Sequence, residues 1–284
     1  MSTIGRWYPP SVFARARRFG WATTALVVIL GLIVLVAIFA PLAAPDSPTA
    51  TNILDTSAGP TFSHLLGTDS LGRDILSRLI YGSRVSLLGP LIVVLLSSAI
   101  GTALSISSVW IGGWYSVVIG RILDLLFSVP SLLIAILAVA FVGPGLTGPV
   151  IALGLAYTPY AARVVQSVAI RERNLAYIES GELIGFSGWS ICTRHLVPNV
   201  MSMIRAQATI SFGSALLDLA ALSFLGLGVQ PPSPAWGLMV SEGEAALLNG
   251  QPAAALAPVI TILVVVVMVN LLGDQVDKRS KRAS

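Results

Sequence analysis

Long apolar stretches are the feature that most constrains the fold of this chain. A helix that crosses a bilayer needs roughly 20 predominantly apolar residues, and stretches of about this length recur along the sequence. They are continuous rather than alternating, which favours transmembrane helices over the strands of a barrel. Six spans are predicted, at residues 21–42, 85–110, 117–142, 148–170, 200–228 and 253–274.

The charge content supports lipid as the solvent of much of the surface. Charged residues make up 11% of the chain, whereas soluble domains carry about 25%. We therefore expect an all-α integral membrane protein with six transmembrane helices. The net charge of +4 comes with basic clusters at both termini, which indicate topology rather than a nucleic-acid partner. The single cysteine, Cys192, excludes an intramolecular disulfide, and no metal site is expected because His64 and His195 lie far apart.

Topology follows from lysine and arginine, which favour the cytoplasmic side of a membrane. Both tails, 1–20 and 275–284, are basic. An even number of spans puts the tails on one side, so both are expected in the cytoplasm of a multi-pass inner-membrane protein. The segment 171–199 then also lies in the cytoplasm. The segment 43–84 lies on the outer face, ahead of a region, 85–274, that holds the other five spans.

The outer segment contains an unusually polar stretch, "HLLGTDSLGRDILSRLIYGSRVSLL". Residues 68–70 can cap a helix that starts near Leu71. Its apolar face predicts an interfacial helix along the membrane surface, which Gly82 then turns into the second span. Asp74 and Arg78 are four residues apart, in the order that favours a salt bridge on a helix. The candidate functional residues of this segment are Asp69, Gly72, Arg73, Asp74 and Arg78.

The cytoplasmic segment, "RERNLAYIESGELIGFSGWSICTRHLVPN", is too polar to cross the membrane and has the pattern of a helix, a break and a second helix. Gly185 is suited to end the first helix, because glycine readily adopts the left-handed conformation of C-terminal caps. Ser187 can cap the second helix, which Pro198 is expected to end. Two interpretations fit this pattern: a docking surface for a soluble partner, or an ordinary interfacial loop.

The same segment resembles the EAA loop of the permeases of ABC importers. In that loop a Glu-Ala-Ala triplet precedes a glycine and a closing proline. Glu179, Gly185 and Pro198 occupy the first, middle and last of these places. The departures from the pattern are Ser180 and Gly181 in place of the alanines, and His195 in place of a common isoleucine.

Longer blocks resemble one branch of these permeases, the dipeptide/oligopeptide/nickel transport family. The blocks are "LGTDSLGRDILSRLIYGSRVSL", "LSFLGLGVQPPSPAWGLMVSEG" and "NLLGD", and the similarity extends over about 64–274. The first block is similar to the C-type subunit of the permease pair. The resemblance implies a type I ABC importer permease fold with a cytoplasmic coupling helix in the loop 179–198.

The resemblance also implies a function and a set of partners. The chain would form the translocation path for peptides together with a second, homologous permease. Two cytoplasmic subunits would bind ATP and magnesium and drive transport, and an extracytoplasmic binding protein would deliver the substrate. The chain itself is expected to bind no cofactor, because Lys278 and Lys281 are its only lysines and no phosphate-binding P-loop motif is present. The implied coupling residues are Glu179, Ser180, Gly181, Gly185, Trp189, His195 and Pro198. The outer-face residues would frame the outer gate or the surface that receives the binding protein.

Charges inside the predicted spans are a further group of candidates, because they are costly in lipid. From the helix rise, Asp124 in the third span and Arg163 in the fourth each lie about 10 Å from the cytoplasmic ends. We predict that they pair, although each could instead meet backbone or the partner permease. Asp218, in the outer half of the fifth span, either lines the path and meets a peptide amine or contacts the partner permease. Tyr157, in the interrupted fourth span, is a further path candidate.

Two other classes of membrane protein compete with this interpretation. An ion-coupled secondary transporter favours internal repeats with paired broken helices, and no clear repeat is visible. An intramembrane protease needs a nucleophile or two carboxylates that face each other. Asp124 and Asp218 lie on different helices at different predicted depths, so a transporter subunit rather than an enzyme is expected.

Overall fold

The computed structural model describes residues 21–283, with the side chains of residues 21 and 23–275, and it is built from helices. The tail 1–20 lies outside the described residues. Besides a 3-10 turn at Ile53–Asp55 and a π-helical turn at Cys192–Leu196, the described elements are α1 (Trp21–Ile38), α2 (Ala40–Ala43), α3 (Ile75–Ile111), α4 (Gly113–Phe127), α5 (Ser131–Val142), α6 (Thr147–Arg173), α7 (Ala176–Leu183), α8 (Gly188–Ile191), α9 (Val197–Phe224), α10 (Trp236–Glu242), α11 (Glu244–Leu248) and α12 (Ala253–Ala283).

All six predicted spans are helical, but they differ in how well they suit a bilayer. Three segments are long and apolar enough to cross it: α3, the run Gly188–Phe224, and Ala253–Gln275 within α12. α4 and α5 form a fourth if the pair is taken as one broken span. α1 is shorter, with 18 residues, and α6, with 27, is less apolar. Length and composition alone therefore support three or four spans in the described residues.

The prediction of a single helix at 117–142 is wrong, because this span is broken. α4 and α5 are bent by 83° across the residues 128–130. Pro130 has no N–H to donate, and it disfavours helical backbone at the residue before it. The break places Ser131 in the first turn of α5.

The prediction of a separate interfacial helix at 71–82 is also wrong. α3 begins one residue after Asp74, whose side chain provides the N-terminal cap, and it continues through Gly82 as one helix of 37 residues. Gly82 is buried against Ala235 and Trp236, where a Cβ atom would lie 3.4–3.5 Å from their atoms. A glycine inside a helix costs about 1 kcal/mol, which is too little to end a helix that makes these contacts.

The sequence predicted that the helix after the loop break ends at Pro198, and this prediction is wrong. α8 continues through the π-helical turn into α9. At the end of this turn the N–H of Val197 donates to the carbonyl of Cys192, five residues earlier. Pro198 lies in the first turn of α9, where a missing N–H is tolerated. Residues 275–283 of the expected C-terminal tail continue α12, which extends as far as Ala283.

Small residues let α3 and α6 pack closely at the centre of the bundle. A Cβ atom on Gly101 would lie 2.9 Å from the Cβ of Ala161, and one on Gly154 would lie 2.5 Å from Cδ2 of Leu96. Neither position has room for a side chain. Close backbone approach of this kind is a common source of helix association in lipid.

The connecting segments gather at two ends of the bundle. The first end holds residues 44–74 and 225–252, which are joined where the Gln251 amide donates to the carbonyl of Ser57 at 2.8 Å. The second end holds the α3–α4 turn and the segment 174–196. Since α1 ends and α12 begins at the first end, both helices extend from there towards the second end.

Candidate functional site

Four charged side chains form a network at the first end, and we call them the charge network: Asp69, Arg73, Arg78 and Glu242. Asp69 Oδ2 accepts from Arg73 Nε at 2.7 Å and from Arg78 Nη1 at 2.5 Å. Glu242 Oε2 accepts from Arg73 Nη2 at 3.0 Å and from Arg78 Nη2 at 2.5 Å. Asp69 is 5% exposed and the two arginines 3% and 2%. The charges balance, and the network ties the chain before α3 to the end of α10.

Backbone geometry turns Asp69 towards this network. Its Oδ1 atom accepts the N–H groups of Leu71 at 2.9 Å and Arg73 at 3.0 Å. Gly72 has φ +72° and lies against Asn52, whose carbonyl a Cβ atom would overlap. Only glycine satisfies both conditions without strain. Gly72 therefore has a structural role, which lets the flanking charged residues face inward.

The predicted pair between Asp74 and Arg78 is wrong. The Asp74 carboxylate accepts the N–H of Ser77 at 2.7 Å and lies 3.1 Å from Nδ1 of His64. One oxygen caps α3 and the other contacts the imidazole, so Arg78 is left to bind the charge network. The polar stretch is thus mostly buried around the start of α3, with Asp74 itself 2% exposed.

The segment 174–196 at the second end exposes large apolar side chains. Leu183 is 89% exposed, Ile184 74% and Trp189 81%. These residues flank the break between α7 and α8, beside the exposed polar residues Glu179, Ser180 and Glu182. Exposed apolar patches with a polar surround are typical of protein-contact sites.

The break itself has the geometry that the sequence predicted. Gly185 has φ +90°, and its N–H donates to the carbonyl of Glu182 at 3.0 Å. The N–H of Phe186 donates to the carbonyl of Gly181 at 3.0 Å, which completes a Schellman motif. Ser187 Oγ accepts an amide hydrogen from the first turn of α8 at 3.3 Å. The predictions of a helix end at Gly185 and a cap at Ser187 are confirmed.

The three residues at the start of the predicted loop motif lie on α7. Glu179 and Ser180 are exposed, whereas Gly181 is buried. A Cβ atom on Gly181 would lie 3.4 Å from the ring of Phe186. The small residue thus lets the chain after the break fold back against α7.

Hydrogen bonds tie α7 to the helices on either side of the loop. The Tyr177 hydroxyl donates to Glu172 at 3.1 Å and accepts from the Asn199 amide at 2.7 Å. Partial burial and the bond to Glu172 raise the pKa of Tyr177. His195 lies beside this group, with its ring centroid 6.2 Å from that of Tyr177, and Pro198 is exposed. The loop thus connects back to α6 and α9.

Asp124 and Arg163 meet, as their predicted depths suggested. Arg163 Nη2 donates to Asp124 Oδ1, and Nη1 donates to Gln166 at 3.2 Å. The side chains are 61% and 43% exposed in this chain. They line a groove of about 530 Å³ together with Phe127 and Tyr160. A polar, open face therefore lies on helices that are otherwise apolar.

Asp218 and Tyr157 are also brought together, around the break in the third span. Asp218 Oδ2 accepts from the Tyr157 hydroxyl at 3.1 Å and from the Ser131 hydroxyl at 3.0 Å. Ser131 reaches Asp218 because the bend at Pro130 starts α5 there. Within the residues that the structure describes, no cationic side chain pairs with Asp218.

Sequence reasoning missed Glu242, although a signal for it was present. Three arginines in the outer segment run against the usual charge bias, and residues 229–252 contain acids but no lysine or arginine. Opposite charge between two segments on one side indicates contact. Trp110 and Arg173, which join α3 to the loop, were also missed. In the described part of the chain, no group of three or more His, Cys, Asp or Glu side chains could hold a metal ion.

Comparison with known proteins gives the family of the chain. Residues 95–282 match the family model described as the inner membrane component of binding-protein-dependent transport systems. The chain is 37% identical over 262 residues to the dipeptide transport system permease protein DppC of Alkalihalophilus pseudofirmus. It is 38% identical over 261 residues to the glutathione transport system permease protein GsiD of Shigella dysenteriae and of Escherichia coli. Each match covers 92% of this chain and 86% of the relative.

Solved structures support the fold. An inward-facing structure of the MetNI methionine ABC transporter matches with a TM-score of 0.59 at 15% identity, covering 72% of this chain and 97% of that chain. A second crystal form matches with a TM-score of 0.53 at 16% identity, covering 71% and 95%. At this identity the likeness concerns the fold alone, which is that of a type I importer permease.

These matches agree with the motifs in the sequence. The chain is a multi-pass membrane protein that works in a complex with partner subunits, and ATP hydrolysis belongs to separate ATPase subunits in such importers. It belongs to the family of binding-protein-dependent transport system inner membrane components, as a membrane-spanning permease subunit of an ABC importer rather than an enzyme.

Proposed function

We propose that this permease imports short peptides across the cytoplasmic membrane, with a second, homologous permease forming the other half of the path. The observation that carries the proposal is the similarity over 92% of the chain to permeases named for a dipeptide and for glutathione. Both named substrates are short peptides. They share an ammonium group, a carboxylate and an amide backbone.

The remaining partners follow from the same proposal. Two ATP-binding subunits bind ATP and magnesium and dock on the loop 171–199. A binding protein delivers the peptide at the first end. The exposed Leu183, Ile184 and Trp189 support the docking site, because a docked subunit would cover these apolar side chains.

The proposed orientation places both termini in the cytoplasm and the first end outside. The described chain supports it, because α1 and α12 both extend from the first end towards the end that holds residues 174–196. Arg171, Arg173 and Arg194 in that region agree with the charge bias of cytoplasmic loops.

The docking proposal predicts that Trp189→Asp separates the permease from its ATP-binding subunits. A charge in place of an exposed aromatic anchor should lower their co-purification at least about tenfold. Phe62→Asp is the matched control, since Phe62 is fully exposed at the first end and should have no effect. Equal recovery of the ATP-binding subunits with both variants would contradict the proposed docking site.

We also propose that Asp124, Arg163, Asp218 and Tyr157 lie along the translocation path, where this permease faces its partner. Charged groups inside spans are costly unless they meet protein or water. Both members of the Asp124–Arg163 pair are substantially exposed in the single chain. A neighbouring permease or an aqueous path would therefore cover them, rather than lipid.

The path proposal is tested by reversing the charges of the Asp124–Arg163 pair. Asp124→Arg and Arg163→Asp should each abolish most peptide uptake, because each puts like charges side by side. The double variant restores opposite charges and should regain uptake. No gain of the double variant over the single ones would count against a functional pair.

Asp218→Asn, which keeps an acceptor for both hydroxyls, should reduce uptake without changing assembly.

A further inference from the structure

We infer that Trp110 and Arg173 are positioning residues that make α3 move with the loop 171–199, which we call the docking loop. Displacement of this loop by the ATP-binding subunits then reaches the charge network at the opposite end of the bundle. The inference rests on the proposed function, because it needs ATP-binding subunits to displace the loop. It adds a defined mechanical route through this chain. We call Trp110, Arg173 and Gly188 the Trp110 joint.

The joint holds the indole of Trp110 between two parts of the loop. The guanidinium of Arg173, where the loop leaves α6, lies 5.0 Å from the centroid of the Trp110 ring. Its Nη1 atom also donates to the carbonyls of Val109 and, at 2.6 Å, of Trp110. These are carbonyls at the C-terminal end of α3, where a cation is favoured by the helix dipole. Arg173 therefore binds both the side chain and the backbone at the end of α3.

Gly188 meets the same indole from the other side of the loop break. A Cβ atom on Gly188 would overlap Nε1 of Trp110, so the start of α8 lies directly against the ring. Below this contact, Cys192 and Leu196 pack with Ile106 of α3 in a buried apolar cluster. The loop after the break is thus attached to α3 over about two turns.

The docking loop is not joined to α3 along the chain, so α3 moves with the loop only through non-covalent contacts. The loop runs from α6 to α9, and α3 is linked to it only by packing and hydrogen bonds. The other half of the loop, α7, is tied by Tyr177 to Glu172 of α6 and Asn199 of α9. The Trp110 joint, together with the packing of Ile106 on Cys192 and Leu196, therefore attaches α3 directly to the docking loop.

The opposite end of α3 is attached just as firmly. α3 has 37 residues, which gives a length of about 55 Å. Its first turn carries Arg78, which binds Asp69 and Glu242 of the charge network. At the next residue, the carbonyl of Leu79 accepts the indole N–H of Trp236 at 3.0 Å. α3 contains Pro90 but is continuous from Ile75 to Ile111, and a continuous helix attached at both ends carries a displacement from one end to the other.

The test uses the full complex of permease pair and ATP-binding subunits in nanodiscs. Leu71→Cys places a reporter thiol next to the charge network, where Leu71 is 51% exposed, whereas the native Cys192 is buried. Maleimide labelling is measured without nucleotide and after trapping with ATP and vanadate. We expect the labelling rate of the parent to change on trapping. Trp110→Ala should reduce this change at least about tenfold while the ATP-binding subunits still co-purify.

Three further variants separate transmission from simple stability. Trp114→Ala is the matched control and should behave as the parent, because Trp114 lies in the first turn of α4, four residues after Trp110, and is 77% exposed. Arg173→Ala should reproduce the loss of Trp110→Ala, and Trp110→Phe, which keeps an aromatic face for Arg173, should restore much of the response. ATP hydrolysis should continue in all of them.

Two outcomes would overturn the inference. If Trp110→Ala and Arg173→Ala respond to trapping as the parent does, packing of α3 on α6 is sufficient and the joint has no transmitting role. If the parent shows no change at Leu71→Cys, movement does not reach the charge network. Failure of the ATP-binding subunits to co-purify with the parent would instead contradict the proposed function.

Discussion

Replacing Asp69 with asparagine is expected to destabilise the permease by about 3–5 kcal/mol, because it leaves two buried arginines with one carboxylate between them. The amide can keep the backbone bonds that Oδ1 accepts, so the effect isolates the charge. Its NH₂ group would face the donors Arg73 Nε and Arg78 Nη1, which now point at Oδ2. The measurement is a denaturant titration of the purified permease in detergent.

Asp46→Asn is the matched control for this prediction. Asp46 lies in the same outer segment, with 52% of its side chain exposed, and its carboxylate is 3.9 Å from His64. Its replacement should change the free energy of unfolding by less than about 0.5 kcal/mol. A similar loss in both variants would show that the charge network is not the source of stability.

Asp69→Asn should also lower uptake. The ATP-binding subunits should still dock, because the network lies at the end away from the loop.

Gly101→Leu is expected to have the second large effect, by separating α3 from α6. A Cβ atom at this position already lies 2.9 Å from the Cβ of Ala161 and the N atom of Ala162, and 3.0 Å from the carbonyl oxygen of Thr158. A leucine must push the two backbones apart. Overpacking of this kind costs about 1–3 kcal/mol or more, and the same titration measures it.

Gly31→Leu provides the control for the glycine prediction. Gly31 lies within α1, and a Cβ atom there would meet nothing within 4 Å. The same change of residue in an apolar helix should therefore leave stability nearly unchanged or raise it, because leucine favours helix more than glycine does. Equal stability of the two variants would mean that the α3–α6 contact at Gly101 is not tightly packed.

Much of the architecture could be predicted from local signals in the sequence. The apolar stretches marked every long helix, because apolarity over about 20 residues reflects the thickness of a bilayer. Gly185 and Ser187 gave the break in the loop, since cap geometry depends on single residue types. Depth along the helices brought Asp124 and Arg163 together, because rise per residue is constant.

The failures concern contacts between distant parts of the chain. Gly82 was read as a turn, but Ala235 and Trp236, about 150 residues later, hold it inside a helix. Arg78 was paired with Asp74 by spacing, whereas Glu242 and Asp69 bind it. Local spacing contributes only a few tenths of a kcal/mol to such a pair. Burial of the whole network decides the partners, and that is a property of the folded chain.

Breaks in the long helices were the other error. Pro130 was placed inside a continuous span, yet the span bends there by 83°. Pro198 was expected to end a helix, yet the helix continues past it from a π-helical turn. The sequence shows that an N–H is missing, but the surrounding packing decides how the backbone accommodates it.

Uptake by the reconstituted importer tests the central claim most directly. The permease pair, the ATP-binding subunits and the binding protein are placed in proteoliposomes, and entry of a labelled dipeptide is measured. The account predicts uptake that requires ATP on the side of the ATP-binding subunits and stops when vanadate is added. The account would be contradicted if the permeases alone took up the dipeptide, driven by a proton or sodium gradient and independent of ATP.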